Sequence, residues 1–373
     1  VPRLLLDADL AAGQPAALPL TWLDGFELVP FPPRGLTAAV AGASAADAVI
    51  VRTMTRLPAA LLAALPGLRA VATLSSGTDH LDEAALAARG VALHTGHGGN
   101  ALAVADWVAW ALAATLDRSP DRAAWLGGRR VLLIGVGAVG AAVAARLRSA
   151  GAEVGCCDPP RAAREPGFRS LNLDEALAQR WDAVSLHVPL TTAGPHPTAN
   201  LLDRGRLCRL RGAVVLNAAR GGVLDEAAAA ELRCAGHLAG LALDTFVGEP
   251  LPRAEVVAAC DRATPHIGGH AIEGKLRVSR RAVSGLRRQF ELAPPGALAD
   301  AVAAVMAGHD PAELQPDVAL AAADASLRAC VAAGESFDRC RSSHRRVELT
   351  AGADGVNDCA DRGGRVCLGV DHG

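Results

Sequence analysis

The stretch 129–158, RRVLLIGVGAVGAAVAARLRSAGAEVGCCD, decides the architecture. Its first apolar run ends at Ile134, and Gly135, Gly137 and Gly140 follow in a GxGxxG spacing. A segment with helical apolar spacing, AVGAAVAARLRSA, comes next, and a second apolar run closes on Asp158. Strand, tight turn, helix and strand in this order form a dinucleotide-binding fingerprint. The first glycine permits the turn, the second lets the backbone approach a pyrophosphate, and the third lets the helix press against the strand. Backbone N–H groups at the helix start, around Val139, then face the phosphate charge. Asp158 is placed to accept the ribose hydroxyls of the adenosine half and to repel a 2′-phosphate, which favours NAD over NADP. Arg161, just beyond it, is the residue that could receive that phosphate instead.

The same alternation extends in both directions. Upstream, the apolar runs RLLLDAD, DAVIVRT at 47–53, LRAVATLSSGTDH at 68–80 and GVALHTG at 90–96 are separated by helical stretches such as LPAALLAAL. Strands and helices at this spacing predict a parallel α/β unit. Downstream, WDAVSLHVP at 181–189, GAVVLNAA at 212–219 and LAGLALDTF at 238–246 continue a doubly wound sheet. Between the two units lies NALAVADWVAWALAATLDR, a long helix expected to be buried, with Asn100 as its N-cap. Pro294, Pro295 and Gly296 mark a boundary, after which a smaller third unit is expected.

Composition narrows the function. At 373 residues the chain has room for two or three domains. A formal charge of -2 offers no one-signed field to attract nucleic acid or an anionic membrane, which leaves small-molecule chemistry as the expectation. Hydrophobic residues make up 51%, but much of this is alanine, and no window supplies the roughly 18 uninterrupted apolar residues of a membrane span. The N-terminal VPRLLLDADL has no basic leader or cleavage site, so cytoplasmic residence is expected. Nine cysteines, an odd number with no CxxC pair, read as reduced thiols rather than zinc ligands. Lys275 is the single lysine and tyrosine is absent, a bias from which no function is read. His80, His94 and His97 lack metal-ligand spacing, and no metal site is expected.

Three later loops carry reactive side chains: NAARGGVLD, LDTFVGEP and ATPHIGGH. Arg220 presents a planar fork that can hold a carboxylate or polarise a carbonyl. His266 can take a hydroxyl proton near neutral pH, and Glu249 can hydrogen-bond its other ring nitrogen and stabilise the imidazolium. Each alone has a bland reading: a surface arginine beside two glycines, a glutamate ending a loop before Pro250, a histidine satisfied in a core after Pro265.

In combination they are more specific. The order GVGAVG, NAARGG, LDTFVGEP and TPHIGG resembles the D-isomer-specific 2-hydroxyacid dehydrogenase family. VRTMT, SSGTDHLDEA, CDPPRA, FRSL, TPHIGGHAIEGK and GESFDR are similar to its erythronate-phosphate branch, across nearly the whole chain except its last residues. The resemblance implies a Rossmann-type NAD-binding domain at 100–266 and a flavodoxin-like split substrate (lid) domain at 1–99 and 267–294. It also implies a small C-terminal α+β dimerisation domain at 297–373, and hence a homodimer. Arg220, Glu249 and His266 take the family's catalytic positions, and Asp158, Asp244, Val188 and Gly269 its cofactor positions; Val188 stands where threonine is common, so only its backbone carries over. Thr53 and Ser75, with Ser76 and Gly77 alongside, match substrate-contacting positions. Arg52 adds charge nearby, and His270 stands where a tyrosine is expected. The implied reaction is NAD-dependent oxidation of 4-phosphoerythronate to its 2-oxo product in vitamin B6 biosynthesis. Two alternatives remain open: another D-2-hydroxyacid substrate such as phosphoglycerate, and a non-enzymatic NAD-sensing protein on the same scaffold.

Overall fold

The structure is a computed structural model that describes residues 1–12, 18–32, 35–116, 124–307 and 314–348. The parts of the expected C-terminal unit at 308–313 and 349–373 lie outside the described residues. Two all-parallel sheets organise the chain. The first contains β1 (Arg3–Asp7), β2 (Glu27–Phe31), β3 (Ala48–Val51), β4 (Ala70–Thr73) and β5 (Ala92–Thr95) in the order β2-β1-β3-β4-β5. The second contains β6 (Arg130–Ile134), β7 (Glu153–Cys157), β8 (Ala183–Leu186), β9 (Val214–Asn217), β10 (Gly240–Leu243) and β11 (Arg262–Ala263). Its order is β11-β10-β9-β8-β6-β7.

Central strands such as AVIV in β3 and VVL in β9 are buried on both faces, which is why they read as continuous apolar runs. β2 and β11 escaped the sequence pattern. β2 is an edge strand, mostly exposed and carrying Pro30, and β11 has two residues, so neither shows the apolar run of a covered strand. The strand order reverses beside β6, whose neighbours are β7 and β8, and a crevice at such a point receives ligands outside the carboxyl ends of the strands.

The helices needed below are α1 (Ala101–Thr115), α2 (Ala138–Ser149), α3 (Pro159–Arg164), α4 (Glu226–Cys234), α5 (Ala254–Ala259), α6 (Ile272–Gln289), α7 (Leu298–Met306), α8 (Pro316–Ala332) and α9 (Asp338–Ser343). The expected long helix is α1, buried over most of its surface between α2 and strands β9 and β10. Asp106 within it is fully buried and paired with Arg146 of α2. Asn100 occupies the N-cap position but makes no capping bond. Its ψ of 9° departs from the extended backbone that lets a cap side chain reach the first turn. Its Oδ1 instead accepts the Ser76 hydroxyl at 2.7 Å.

The described part of the third unit is helical. Among its described residues only helices occur, with no strand, and their apolar side chains enter cores built by the two sheets. Ala301 and Leu314 join the core of the first sheet, Leu320 and Ala323 the α1 side of the second, and Leu327 and Phe337 its opposite side. Helix α6 packs across β4 and β5 so closely that a Cβ on Gly96 would lie 2.6 Å from the Val278 carbonyl oxygen and 2.7 Å from its Cα. Backbone cannot yield there as a flexible side chain would. Gly96→Ala is therefore expected to lower the urea midpoint by the equivalent of about 1–3 kcal/mol; an unchanged midpoint would show that α6 shifts freely.

Candidate active site

The glycine loop after β6 meets its three requirements differently. Gly135 has φ +87°, and a Cβ there would lie 2.6 Å from the His187 carbonyl oxygen. A Cβ on Gly140 would lie 2.1 Å from the Gly135 carbonyl oxygen, so α2 can approach the strand only with glycine at this position. At Gly137 nothing of the protein lies within 4 Å of the added carbon, as expected where backbone faces a ligand. Val139 and Val188 turn toward the apolar cores on either side of the sheet. Asp158 accepts the Val136 N–H at 2.7 Å through one oxygen and the Arg161 N–H at 2.9 Å through the other, joining the glycine loop to α3. Arg161 is committed elsewhere. It donates to Glu165 at 2.7 and 3.0 Å and to the Val136 carbonyl at 2.6 Å, and its guanidinium stands 4.3 Å from the Phe168 ring centroid. The loop, its open face and the acid fit the adenosine and pyrophosphate portions of a dinucleotide; a 2′-phosphate would have to break the Arg161 bonds.

Asp244, at the end of β10, is 1% exposed. One oxygen accepts the Thr264 hydroxyl at 2.6 Å and the Ile267 N–H at 2.8 Å, and the other accepts the Gly268 N–H at 2.8 Å. Thr264 in turn accepts the Trp107 indole N–H of α1 at 2.7 Å. Burial pushes the Asp244 carboxyl up, while the His266 charge and these donors pull it back. The carboxylate thus lies beneath the 264–268 loop. Gly269 follows, with room for no Cβ because the Asn100 amide nitrogen would be 2.3 Å away.

Above Asp244 the loop holds His266 at φ +55°, a left-handed backbone that costs a non-glycine residue about 1–3 kcal/mol. Its N–H bonds to the Asp244 and Thr264 carbonyls keep it there. The ring Nδ1 meets Glu249 Oε2 at 2.8 Å, and the other Glu249 oxygen accepts the Phe246 N–H at 2.9 Å. Burial pushes the Glu249 carboxyl up, but the His266 bond and charge, with the Phe246 N–H, leave it below the ordinary carboxylate value. Glu226, at the start of α4, accepts the Val247 N–H at 2.8 Å and steadies the same loop; burial, with the Glu249 charge nearby, pushes its carboxyl up to about 7. No sequence motif singled Glu226 out.

Arg220 closes the site from the β9 loop, where Asn217 accepts the Ala219 N–H and donates to the Arg220 carbonyl. Its Nη1 donates to the Ala219 carbonyl, while Nε and Nη2 reach Asp79 Oδ2 at 3.2 and 3.1 Å. The guanidinium lies over Gly77, where an added Cβ would be 2.2 Å from Nη2. Asp79 was overlooked although it belongs to the SSGTDH segment. It is 66% exposed, so its carboxylate occupies the arginine fork in a weak, exchangeable pair.

Other expected substrate residues divide. Ser75 and Ser76 stand at this seam, Ser75 donating to the Gly77 carbonyl and Ser76 to Asn100. Thr53 is exposed at the end of β3. Arg52 pairs with Asp7 at 2.6 Å, with a longer contact to Asp9 at 3.4 Å. His270 lies one turn beyond His266, its N–H bonded to the Ile267 carbonyl and its Nδ1 buried without a partner.

Residues 103–268 match the profile of the D-isomer specific 2-hydroxyacid dehydrogenase, NAD binding domain. Among curated proteins, the chain is 37% identical over 270 residues to the erythronate-4-phosphate dehydrogenase of Aeromonas hydrophila, covering 72% of this chain and 70% of that protein. It is 43% identical over 232 residues to the enzyme of that name from Pseudomonas aeruginosa, covering 62% and 60%. The match therefore spans less than two thirds of the Pseudomonas protein's own length. Among solved structures, the TT0316 protein of Thermus thermophilus superposes with a TM-score of 0.62 at 30% identity, covering 79% of this chain and 99% of that one. An NADPH-dependent glyoxylate/hydroxypyruvate reductase of Sinorhizobium meliloti shares the fold, with a TM-score of 0.62 at 24% identity over 80% of this chain and 97% of that one. The Aeromonas relative is matched over more than two thirds of its length, and the profile covers the segment that carries the glycine loop, Arg220, Glu249 and His266: the chain belongs to the D-isomer-specific 2-hydroxyacid dehydrogenase family.

Proposed function

We propose that this chain oxidises 4-phosphoerythronate at its 2-hydroxyl with NAD, as a step in vitamin B6 biosynthesis. The observation that carries the reading is the His266–Glu249 bond of 2.8 Å, on loops after β10 and β11 of the sheet that also carries Arg220 after β9 and the glycine loop after β6. The names of the relatives at 37–43% identity supply the substrate. In this reading the substrate carboxylate displaces Asp79 and takes the planar fork of Arg220, which orients the carbinol carbon. His266 Nε2 accepts the hydroxyl proton as the bond to hydrogen breaks, and Glu249 holds the ring's tautomer and stabilises the imidazolium. NAD, when bound, supplies the hydride acceptor. Gly135, Gly137 and Gly140 would hold its pyrophosphate and Asp158 its ribose, and Ser75, Ser76, Gly77 and Thr53 would line the substrate side.

The domain division belongs to the same proposal: a lid of 1–99 and 267–294, a cofactor domain of 100–266, and self-association through 297–373. α6 supports the split lid, since it follows the cofactor sheet in sequence but packs on β4 and β5. No helix among the described residues is long and apolar enough to cross a membrane; cytoplasmic residence remains part of the proposal. Sedimentation of the full chain is expected to give the mass of two copies, and a single-copy mass at micromolar concentration would refute the dimer.

Two sets of variants test the chemistry. Asp158→Ala removes a ribose acceptor and a repulsive charge together, so affinity for NAD should fall more than affinity for NADP; equal losses would reject the role. His266→Ala should lower single-turnover hydride transfer about 10²–10⁴-fold while NAD still binds. Glu249→Gln should lower the rate of single-turnover hydride transfer while NAD still binds, because the ring loses the partner at its Nδ1. Arg220→Lys should damage substrate positioning, since a point charge does not replace a fork. Wild-type chemistry in His266→Ala, with this substrate and with other 2-hydroxyacids, would overturn the assignment.

A further inference from the structure

A chain of short hydrogen bonds lies behind the 75–79 loop, and the function above leaves its inner members, Thr73 and His80, unused. Thr73 is the last residue of β4 and is fully buried. Its hydroxyl oxygen meets the Ser75 hydroxyl at 2.7 Å and the His80 ring Nε2 at 3.0 Å. Ser75 donates in turn to the Gly77 carbonyl at 2.6 Å. Backbone bonds anchor the chain on either side. The His80 carbonyl accepts the Leu57 N–H at 2.9 Å from the segment after β3, and the Ser75 carbonyl accepts the Gly96 N–H at 3.2 Å from the segment after β5.

Counting protons fixes the direction of this chain. A carbonyl only accepts, so the single Ser75 hydroxyl proton goes to Gly77. The Thr73 hydroxyl must therefore be the donor to Ser75, and a hydroxyl has one proton and two lone pairs. Toward His80 the Thr73 oxygen has only a lone pair left, so Nε2 donates. Burial pushes the His80 ring below the ordinary histidine value, against the Asp79 charge and with the Arg56 charge. A neutral ring carries one proton, and here that proton sits on Nε2. The bonds thus run in one sense, from His80 to Thr73 to Ser75 to the Gly77 carbonyl.

The last member of the chain lies against the Arg220 fork. The guanidinium packs on Gly77 so closely that an added Cβ would collide with Nη2, and both Nε and Nη2 bond to Asp79, two residues further on. The Asp79 pair is exposed and exchangeable, so it holds the loop against Arg220 only weakly. The Thr73–His80 bond is buried, where a donor or acceptor left without its partner is costly. We propose that His80 and Thr73 are positioning residues, which act through Ser75 to hold the Gly77 backbone beside the Arg220 guanidinium and so set where a substrate carboxylate binds. This rests on the functional reading above, in which Arg220 takes that carboxylate. The Ser75 hydroxyl, with its proton on the Gly77 carbonyl, has none left for an anionic end of the substrate, and its part is to hold the loop.

Substitutions that keep shape and change bonding test this on the full chain. Thr73→Val removes the hydroxyl at nearly constant volume and should raise KM for 4-phosphoerythronate about 5- to 50-fold, with kcat changing less and NAD affinity unchanged. Thr73→Ser should restore KM. His80→Leu should behave as Thr73→Val does, and His80→Gln, whose amide can donate to Thr73, should recover part of the loss. In an Arg220→Lys chain, Thr73→Val should add little, because the bonds act through the fork; increases that multiply would show an independent structural role and overturn the proposal. An unchanged KM in Thr73→Val would overturn it as well. Nitrogen-15 spectra of the imidazole rings, with His80→Gln identifying the signal, should show the His80 proton on Nε2, and a proton on Nδ1 alone would refute the direction of the chain. If the wild type oxidised another 2-hydroxyacid but not 4-phosphoerythronate, the substrate reading would fail, and the same KM comparisons on that acid would decide the positioning role.

Discussion

The carboxylate of Asp244 is the constraint on which the candidate site depends. Three donors converge on it from the Thr264 side chain and the Ile267 and Gly268 backbone, and Trp107 of the buried α1 donates to the Thr264 hydroxyl behind them. A buried carboxylate is tolerable only when its acceptor capacity is used, and here the satisfied network also determines where the loop can go. His266 is held in a left-handed conformation that free chain would avoid, and its ring is thereby presented to Glu249. The bonds that satisfy Asp244 offset the strain at His266: the backbone that satisfies the acid is the backbone that turns the His266 ring toward Glu249.

A second constraint comes from chain path. The site lies where elements from both sheets meet: the 75–79 loop after β4, the Arg220 loop after β9, the Glu249 and His266 loops around β10 and β11, and α6 returning to the first sheet. The contacts across this seam differ in strength. Arg220 and Asp79 form an exposed, exchangeable pair, whereas Arg277 grips Glu348 at 3.0 and 3.1 Å with the acid nearly buried. The exposed pair suits a surface that must exchange ligands. The buried one fastens the C-terminal segment whose Arg346 reaches under the catalytic loop.

Much of the fold was legible because parallel strands covered on both faces leave continuous apolar runs, and because glycine is required where a strand, a turn and a helix come too close for any Cβ. The strands missed, β2 and β11, are the ones physics leaves without that signal, an exposed edge and a two-residue bridge. The described residues after Gly296 show a packing that the sequence pattern does not reveal. Helical periodicity shows which face of α7 or α8 is apolar, but not that their partners are the cores of two sheets built from earlier parts of the chain.

By itself the sequence determined the doubly wound pattern and the dinucleotide loop with its acid, written in local spacing, and it offered Arg220, Glu249 and His266 as candidates in loops that follow strands. Only the tertiary structure decided what those side chains touch. It turned Asn100 from a helix cap into the acceptor of the Ser76 hydroxyl, paired Arg52 with Asp7, set Asp79 into the Arg220 fork, and brought Arg341 and Arg346 to the catalytic loops from the far end of the chain. The physical reason is that hydrogen bonds and ion pairs act over a few ångströms regardless of sequence separation. Local spacing records which groups are available, and packing alone determines which of them meet.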